Sequence, residues 1–348
     1  MQTRRVAATA VELTRLGFGA APIGNLYRVL DDDTVHAALE VAWAAGVRYF
    51  DVAPYYGLGL AERRLGRFLA GRPRAEFVVS SKVGRLLEPN DSPSPWSDDV
   101  FHVPGDVRPV RDYSRDGVLR SIEATLLRTG LDRLDVVLVH DPDDHWPQAA
   151  DEALPALADL RDQGVVGAIG AGMNQSRMLE RFLRETAADV VLLAGRYTVL
   201  EQDALADVLP AAVELGKSVI AAGVFNSGLL SRDRPAAGAR YDYHAAPADV
   251  VARAQRIADV CQEHGTTLPA AAMAFPLWHP AVVTVLVGMA TAEEVTRNAA
   301  LDAGTVPAGL WDQLRAEGLL RADAPTPTPT PAPTPSPTPE DERRAGPA

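Results

Sequence analysis

Short runs of apolar and β-branched residues alternate with longer amphipathic stretches eight times along the chain, and this alternation limits it to few architectures. The runs are LGFGAAPIG (16–24), VRYFD (47–51), FVVSSK (77–82), LDVVLVH (134–140), VGAIGAG (166–172), DVVLLAG (189–195), KSVIAAG (217–223) and VVTVLVG (282–288). Runs of this length without polar alternation suit strands covered on both faces, as in a parallel sheet. Between them, segments such as DDTVHAALEVAWAAG (32–46) and SRDGVLRSIEATLLRTG (114–130) space apolar residues by three and four and stop at a glycine, as amphipathic helices do. Eight strand-helix units in a chain of this length predict one α/β domain, a closed (β/α)8 TIM barrel. Residues 4–13, RVAATAVELT, precede the first strand and are expected to form a short hairpin under the barrel floor.

Two long segments break the rhythm: 84–113 after the third run and 224–246 after the seventh. Both are read as loops leaving the C-terminal ends of strands, the barrel face on which active sites sit. From Pro325 the chain becomes PTPTPTPAPTPSPTP, and alternating proline favours extended, unpaired backbone. The barrel is therefore expected to occupy residues 1–322, and a disordered Pro-rich tail 323–348.

With 46 acidic against 34 basic side chains, a net charge of −12, the chain has no cationic surplus for nucleic acid or an anionic membrane. The single cysteine, Cys261, permits neither an intrachain disulfide nor a Cys-based zinc site and is expected to be a buried thiol in a helix. Arg15 interrupts the apolar N-terminal stretch, which does not read as a signal peptide, and no run is long enough to span a membrane. A reducing cytoplasm is the expected location. A metal-dependent hydrolase would need clustered histidines at strand ends, and only His140 lies there, with His102 and His145 on loops, so no metal site is expected.

The chemistry-bearing residues gather where strands end. FDVAPYYG (50–57) puts Asp51 at the tip of the second strand and Tyr55 and Tyr56 on the loop above it; the third strand ends in Lys82 and the fourth in His140. A carboxylate inside an apolar barrel needs a partner, and Lys82 on the neighbouring strand supplies one. A phenol is a poor base at neutral pH unless an ammonium stabilises its anion, so this group suggests proton transfer by a tyrosine. Protein side chains offer no electron acceptor, and a redox reaction would need a bound cofactor.

With these four residues in place, the chain resembles the aldo-keto reductase family from about residue 13 to 320. The resemblance implies that Asp51, Tyr56, Lys82 and His140 form a catalytic tetrad, with Tyr56 as general acid/base. It also implies a nicotinamide cofactor lying across the barrel mouth without a Rossmann domain. Gly17-Phe-Gly19-Ala-Ala-Pro22 only begins like a Rossmann fingerprint, because Pro22 stands in place of the third glycine. Through SSKVGRLL (80–87), IGAGMNQ (169–175), LLAGRYTVLEQ (192–202) and GVFNSGLL (223–230) the closer likeness is to members that oxidise the anomeric carbon of aldoses such as L-fucose to lactones. Pyridoxal-oxidising members look similar in these stretches. General aldehyde or ketone reduction, and a non-catalytic cofactor-binding redox sensor, are the alternatives.

The resemblance further implies cofactor contacts at Gly172, Asn174, Gly288, Glu294 and Asn298. Ala194 and Ala222 stand where the broader family has an amide-binding glutamine and a stacking tyrosine, so Arg196, Tyr197 or Phe225 are expected to compensate. Gly288 and Glu294 replace the basic residues that hold the 2′-phosphate of NADP in relatives, and a carboxylate repels a phosphate. NAD is therefore the expected cofactor, although Arg297 stands nearby. Trp96, Phe101, Tyr113 and Asp141 are the expected substrate-loop residues, for a small sugar or aldehyde.

Overall fold

The computed structural model describes residues 1–94, 100–236, 238–242 and 244–327. Eight parallel strands close a barrel in chain order: β1 (Leu16–Gly19), β2 (Tyr49–Asp51), β3 (Val78–Val83), β4 (Leu134–His140), β5 (Val166–Met173), β6 (Val190–Ala194), β7 (Ser218–Ala222) and β8 (Val282–Gly288). β8 returns to β1 with Gly288 opposite Gly19, which seals the cylinder. Every strand overlaps one of the eight apolar runs, as the pattern predicts.

Because strand side chains alternate, each strand serves two cores. Val79, Val83, Val137, Val139, Ile169, Val191, Leu193, Val219 and Val285 point outward under the helices. Tyr49, Val136, Leu138, Ala168, Val190, Leu192, Ile220 and Leu286 point inward and fill the barrel. Gly17 makes room for the largest of these, since a Cβ there would stand 2.6 Å from the Tyr49 ring. The predicted floor hairpin pairs Thr3–Arg5 with Glu12–Thr14, and Val6, Val11 and Leu13 complete the inner core from below. Two of the surrounding helices start at these side-chain caps: Asp31 accepts from the Thr34 amide at 2.6 Å, and Ser114 from the Gly117 amide at 3.0 Å.

Both long segments carry more order than their composition suggests. Arg85–Pro89 pairs antiparallel with Val107–Arg111, so the segment after β3 is a hairpin that stands above the barrel; Pro109 hid it in the sequence. In the segment after β7, Arg240–Tyr241 pairs with His244–Ala245. At the other end of the chain, Ala324 is buried and its carbonyl accepts from Arg315 at 3.0 Å. The expected Pro/Thr tail lies outside the described residues from 328 onward. Cys261 is free and buried in the helix Ala248–Glu263, where burial pushes its thiol up to about 12. Among the described residues no helix is long and apolar enough to cross a membrane, and no group of three or more potential metal ligands exists.

Candidate functional site

Alternation brings the tetrad together. Asp51 lies two residues beyond inward-facing Tyr49, and His140 two beyond inward-facing Leu138. Lys82, on the same parity as Ser80, reaches Asp51 from β3 to the neighbouring strand β2. Three successive strands thus deliver a carboxylate, an ammonium and an imidazole to one side of the mouth. Asp51 and Lys82 are each only 2% exposed, so their charges must be met by protein.

They are met in full. The Lys82 ammonium has three hydrogens, and it donates to Asp51 Oδ2 at 2.6 Å, Tyr56 OH at 3.0 Å and the Val52 carbonyl at 3.2 Å. Ser80 Oγ donates to the other oxygen of Asp51 at 2.7 Å and lies 2.9 Å from the Tyr49 hydroxyl. Burial, then the Asp51 charge, pushes the Tyr49 phenol well up, so it stays protonated and donates to Ser80. For Lys82, burial pulls the ammonium down but Asp51 and Tyr56 outweigh it, and the net shift is upward. Lys82 is therefore a permanent cation beside the Tyr56 oxygen.

Tyr56 and His140 face each other with ring centroids 5.9 Å apart and planes at 90°. Burial, then Arg85, Lys82 and Arg111, drives the His140 imidazolium well below its ordinary range, so the ring is neutral. Its Nδ1 is buried with no hydrogen-bond partner among the described residues. A buried lone pair without a partner costs less than a buried N–H without one, which favours the tautomer with hydrogen on Nε2. The group can accordingly move a proton at Tyr56 and donate a hydrogen bond from His140 to the same small oxygen.

The opposite side of the mouth is hollow. A cavity of about 480 Å³ runs from Asp51 and Tyr56 past Asn174, Ala194, Ala222 and Phe225 to Gly288, Glu294 and Asn298, a size suited to a cofactor. Asn226 and Asn298 line it, and both have a buried Oδ1 without a partner among the described residues. Two buried acceptors in the lining of one groove suit a ligand rich in hydrogen-bond donors, as a dinucleotide is. Asn226 was not singled out from the sequence; its φ of 44° in FNSG marks a turn, but the pattern does not show which way the side chain faces.

The remaining expected residues divide. Asn174, Phe225, Gly288, Glu294 and Asn298 line the cavity, as does Arg297. Gly172 does not; it sits in the barrel wall, where a Cβ would stand 3.3 Å from Leu192 Cβ. Tyr197 is also away from the cavity, buried against Phe275 with ring centroids 5.0 Å apart. Arg196 binds Asp242 through both terminal nitrogens, at 2.9 and 2.7 Å, and only Asp242 lines the cavity. Phe101 is buried with its ring centroid 5.2 Å from that of Tyr55 and 6.1 Å from that of Tyr56. Tyr113 is fully buried and its hydroxyl faces the carbonyls of His140 and Asp141 at 2.8 and 2.9 Å, which makes it a brace for the end of β4 and leaves it no surface for substrate. Asp141 flanks His140, and Trp96 lies outside the described residues.

Comparison with known proteins identifies relatives of the chain. The aldo/keto reductase family profile matches residues 15–308. The chain is 47% identical over 318 residues to D-threo-aldose 1-dehydrogenase of a Pseudomonas species, covering 90% of this chain and 97% of that protein. It is 37% identical over 337 residues to pyridoxal 4-dehydrogenase of Microbacterium luteolum, covering 92% and 98%. Among solved structures, the holo form of an aldo-keto reductase from Bacillus halodurans superposes with a TM-score of 0.72 at 22% identity, covering 93% of this chain and 98% of that one, a likeness of fold.

Proposed function

The chain belongs to the aldo/keto reductase family, oxidoreductases that use NAD(P)(H), and from that premise we propose that it oxidises the anomeric carbon of an aldose of the L-fucose or D-threo type to a lactone, with NAD preferred. The observation that carries the chemistry is the unbroken relay in which Lys82 Nζ stands 2.6 Å from Asp51 and 3.0 Å from the Tyr56 oxygen. Likeness to the aldose 1-dehydrogenase over nine-tenths of the chain supports the substrate class.

Tyr56 takes the proton of the C1 hydroxyl, because the adjacent ammonium stabilises the phenolate. Asp51 keeps Lys82 charged and in place. His140 donates from Nε2 to the same oxygen and orients the C1–H bond toward the cavity. A nicotinamide dinucleotide held along Asn174, Phe225, Asn226 and Asn298 would supply the two-electron acceptor.

The far end of the cavity supports the preference for NAD. One Glu294 oxygen accepts from the Ala290 amide at 2.7 Å and the other lies 3.3 Å from Arg28, so this part of the lining carries a carboxylate, which would repel a 2′-phosphate brought near it. A ribose diol can donate to it. Arg28 is paired there with Glu294.

A second reading, oxidation of pyridoxal, is favoured by the aromatic wall of Tyr55 and Phe101 beside the tetrad. Initial rates with L-fucose, D-arabinose and pyridoxal, each with NAD and NADP, test the proposal. The expected order places an aldose with NAD first. Fastest turnover with pyridoxal overturns the substrate class, and tight dinucleotide binding without turnover of any of the three would point to a redox sensor.

A further inference from the structure

Beside the tetrad stands an ion pair that proton transfer does not use. Arg85 opens the hairpin above β3, immediately after Gly84, whose φ of 101° suits only glycine and whose missing Cβ would otherwise stand 2.1 Å from the Tyr113 ring. Its guanidinium donates to Asp141 Oδ2 at 2.5 Å and lies 4.6 Å from the centre of the Tyr55 ring. Asp141 directly follows His140, and the same Oδ2 is 3.6 Å from His140 Nε2.

The backbone at Asp141 is held in an unusual state. Its φ is 42°, a left-handed conformation that non-glycine residues seldom adopt. Two contacts impose it: the Asp141 amide donates to the Gly172 carbonyl at 3.1 Å, and the Tyr113 hydroxyl reaches the Asp141 carbonyl at 2.9 Å. Such conformations persist where surrounding structure over-determines them, and they gather at working sites. The result is a carboxylate 32% exposed beside the catalytic group, carried on a rigid corner, with Arg85 at 14% exposure locked against it.

We infer that Asp141 and Arg85 form a hydroxyl-reading subsite, which binds the hydroxyl groups on the carbons next to the reacting one. A carboxylate only accepts hydrogen bonds and a guanidinium only donates them. Set side by side, they match a vicinal diol, in which one hydroxyl donates to Asp141 while its neighbour accepts from Arg85. A substrate oxygen held between Tyr56 and His140 carries its adjacent carbons toward this pair, since Asp141 touches the His140 edge. Burial raises the Asp141 carboxyl above its ordinary range, and the Arg85 guanidinium 2.5 Å away opposes that shift. Specificity for polyhydroxylated substrates is then set by Asp141 and Arg85, while Tyr56 and Lys82 set the reaction.

This inference deepens the aldose reading and rests on it for the substrate class, but its test is separable. The rates of reduction of D-glyceraldehyde and of propanal with NADH compare two aldehydes that differ in the neighbouring hydroxyls. The measured quantity is the ratio of their kcat/KM values in wild type, Asp141→Asn and Arg85→Gln. Asparagine also tolerates left-handed backbone, so the corner is kept when the charge is removed. Hydrogen bonds to charged groups are strong enough that the ratio should fall roughly 10- to 100-fold in Asp141→Asn, and in the same direction in Arg85→Gln. An unchanged ratio in both variants overturns the subsite, as does an equal loss on both aldehydes, which would mark the pair as scaffold. Failure of wild type to oxidise L-fucose would reject the aldose reading and leave this ratio still measurable.

Discussion

The two halves of the barrel mouth are built on opposite plans. On the side of β2 to β4, Asp51, Lys82, Ser80 and Tyr49 fill the interior with charge and hydrogen bonds. On the side of β6 to β8, the same rim positions hold Ala194, Ala222 and Gly288 around an open cavity. One fold supplies both plans, because a strand end offers one inward position and the residue there either occupies the space or surrenders it. The filled half fixes proton positions; the hollow half admits a second molecule next to them.

Removing the reacting oxygen from the filled half breaks the comparison most severely. Tyr56→Phe should lower kcat by about 10²- to 10⁴-fold, the usual worth of a general acid or base. Dinucleotide affinity, read by fluorescence titration, should stay close to wild type because only one hydroxyl at the edge of the cavity is removed and the Asn226 and Asn298 wall is unchanged. Appreciable retained turnover would end the proposed role of Tyr56.

The next effect is on stability. Lys82→Met strips Asp51 of its counter-charge at 2% exposure, and an orphaned buried charge costs about 3–5 kcal/mol. Chemical denaturation should show this loss, and Asp51→Asn in the same chain should restore part of it. A Lys82→Met protein as stable as wild type would mean that the filled half is not the tightly coupled network described above.

A smaller change sharpens the reading of the hollow half. Glu294→Arg should shift the NADP-to-NAD ratio of kcat/KM upward by about 10- to 100-fold, the range of charged hydrogen bonds. Glu294→Gln is the control, because Glu294 also accepts from the Ala290 amide near the start of the helix Ala292–Ala303. A ratio that moves equally in both variants would trace the effect to the helix end and away from phosphate recognition.

The same contrast explains what could be read in the sequence. Asp51, Lys82 and His140 are charged or polar residues closing apolar runs, and period-two alternation alone turns them inward together. Eight apolar runs alternating with amphipathic helical segments likewise predict the closed barrel. The hollow half is recorded only as small residues, and a missing side chain does not name its replacement. Tyr197, Tyr113 and Gly172 illustrate this: each lies near the mouth in sequence, yet packing turns Tyr197 against Phe275 and Tyr113 beneath His140 and Asp141, while Gly172 is buried in the wall. Asn226 and Arg85 went unnoticed because turns aim their side chains, and the direction of a turn is settled by tertiary contacts.

Tyr113 has a consequence for how such a protein could diversify. Its hydroxyl fastens the end of β4 from below, and it stands just after the hairpin that carries Arg85. The root of that hairpin is thus anchored independently of its tip. Lineages could lengthen, shorten or rewrite the tip and so explore new diets of small molecules, while the imidazole beneath keeps its post.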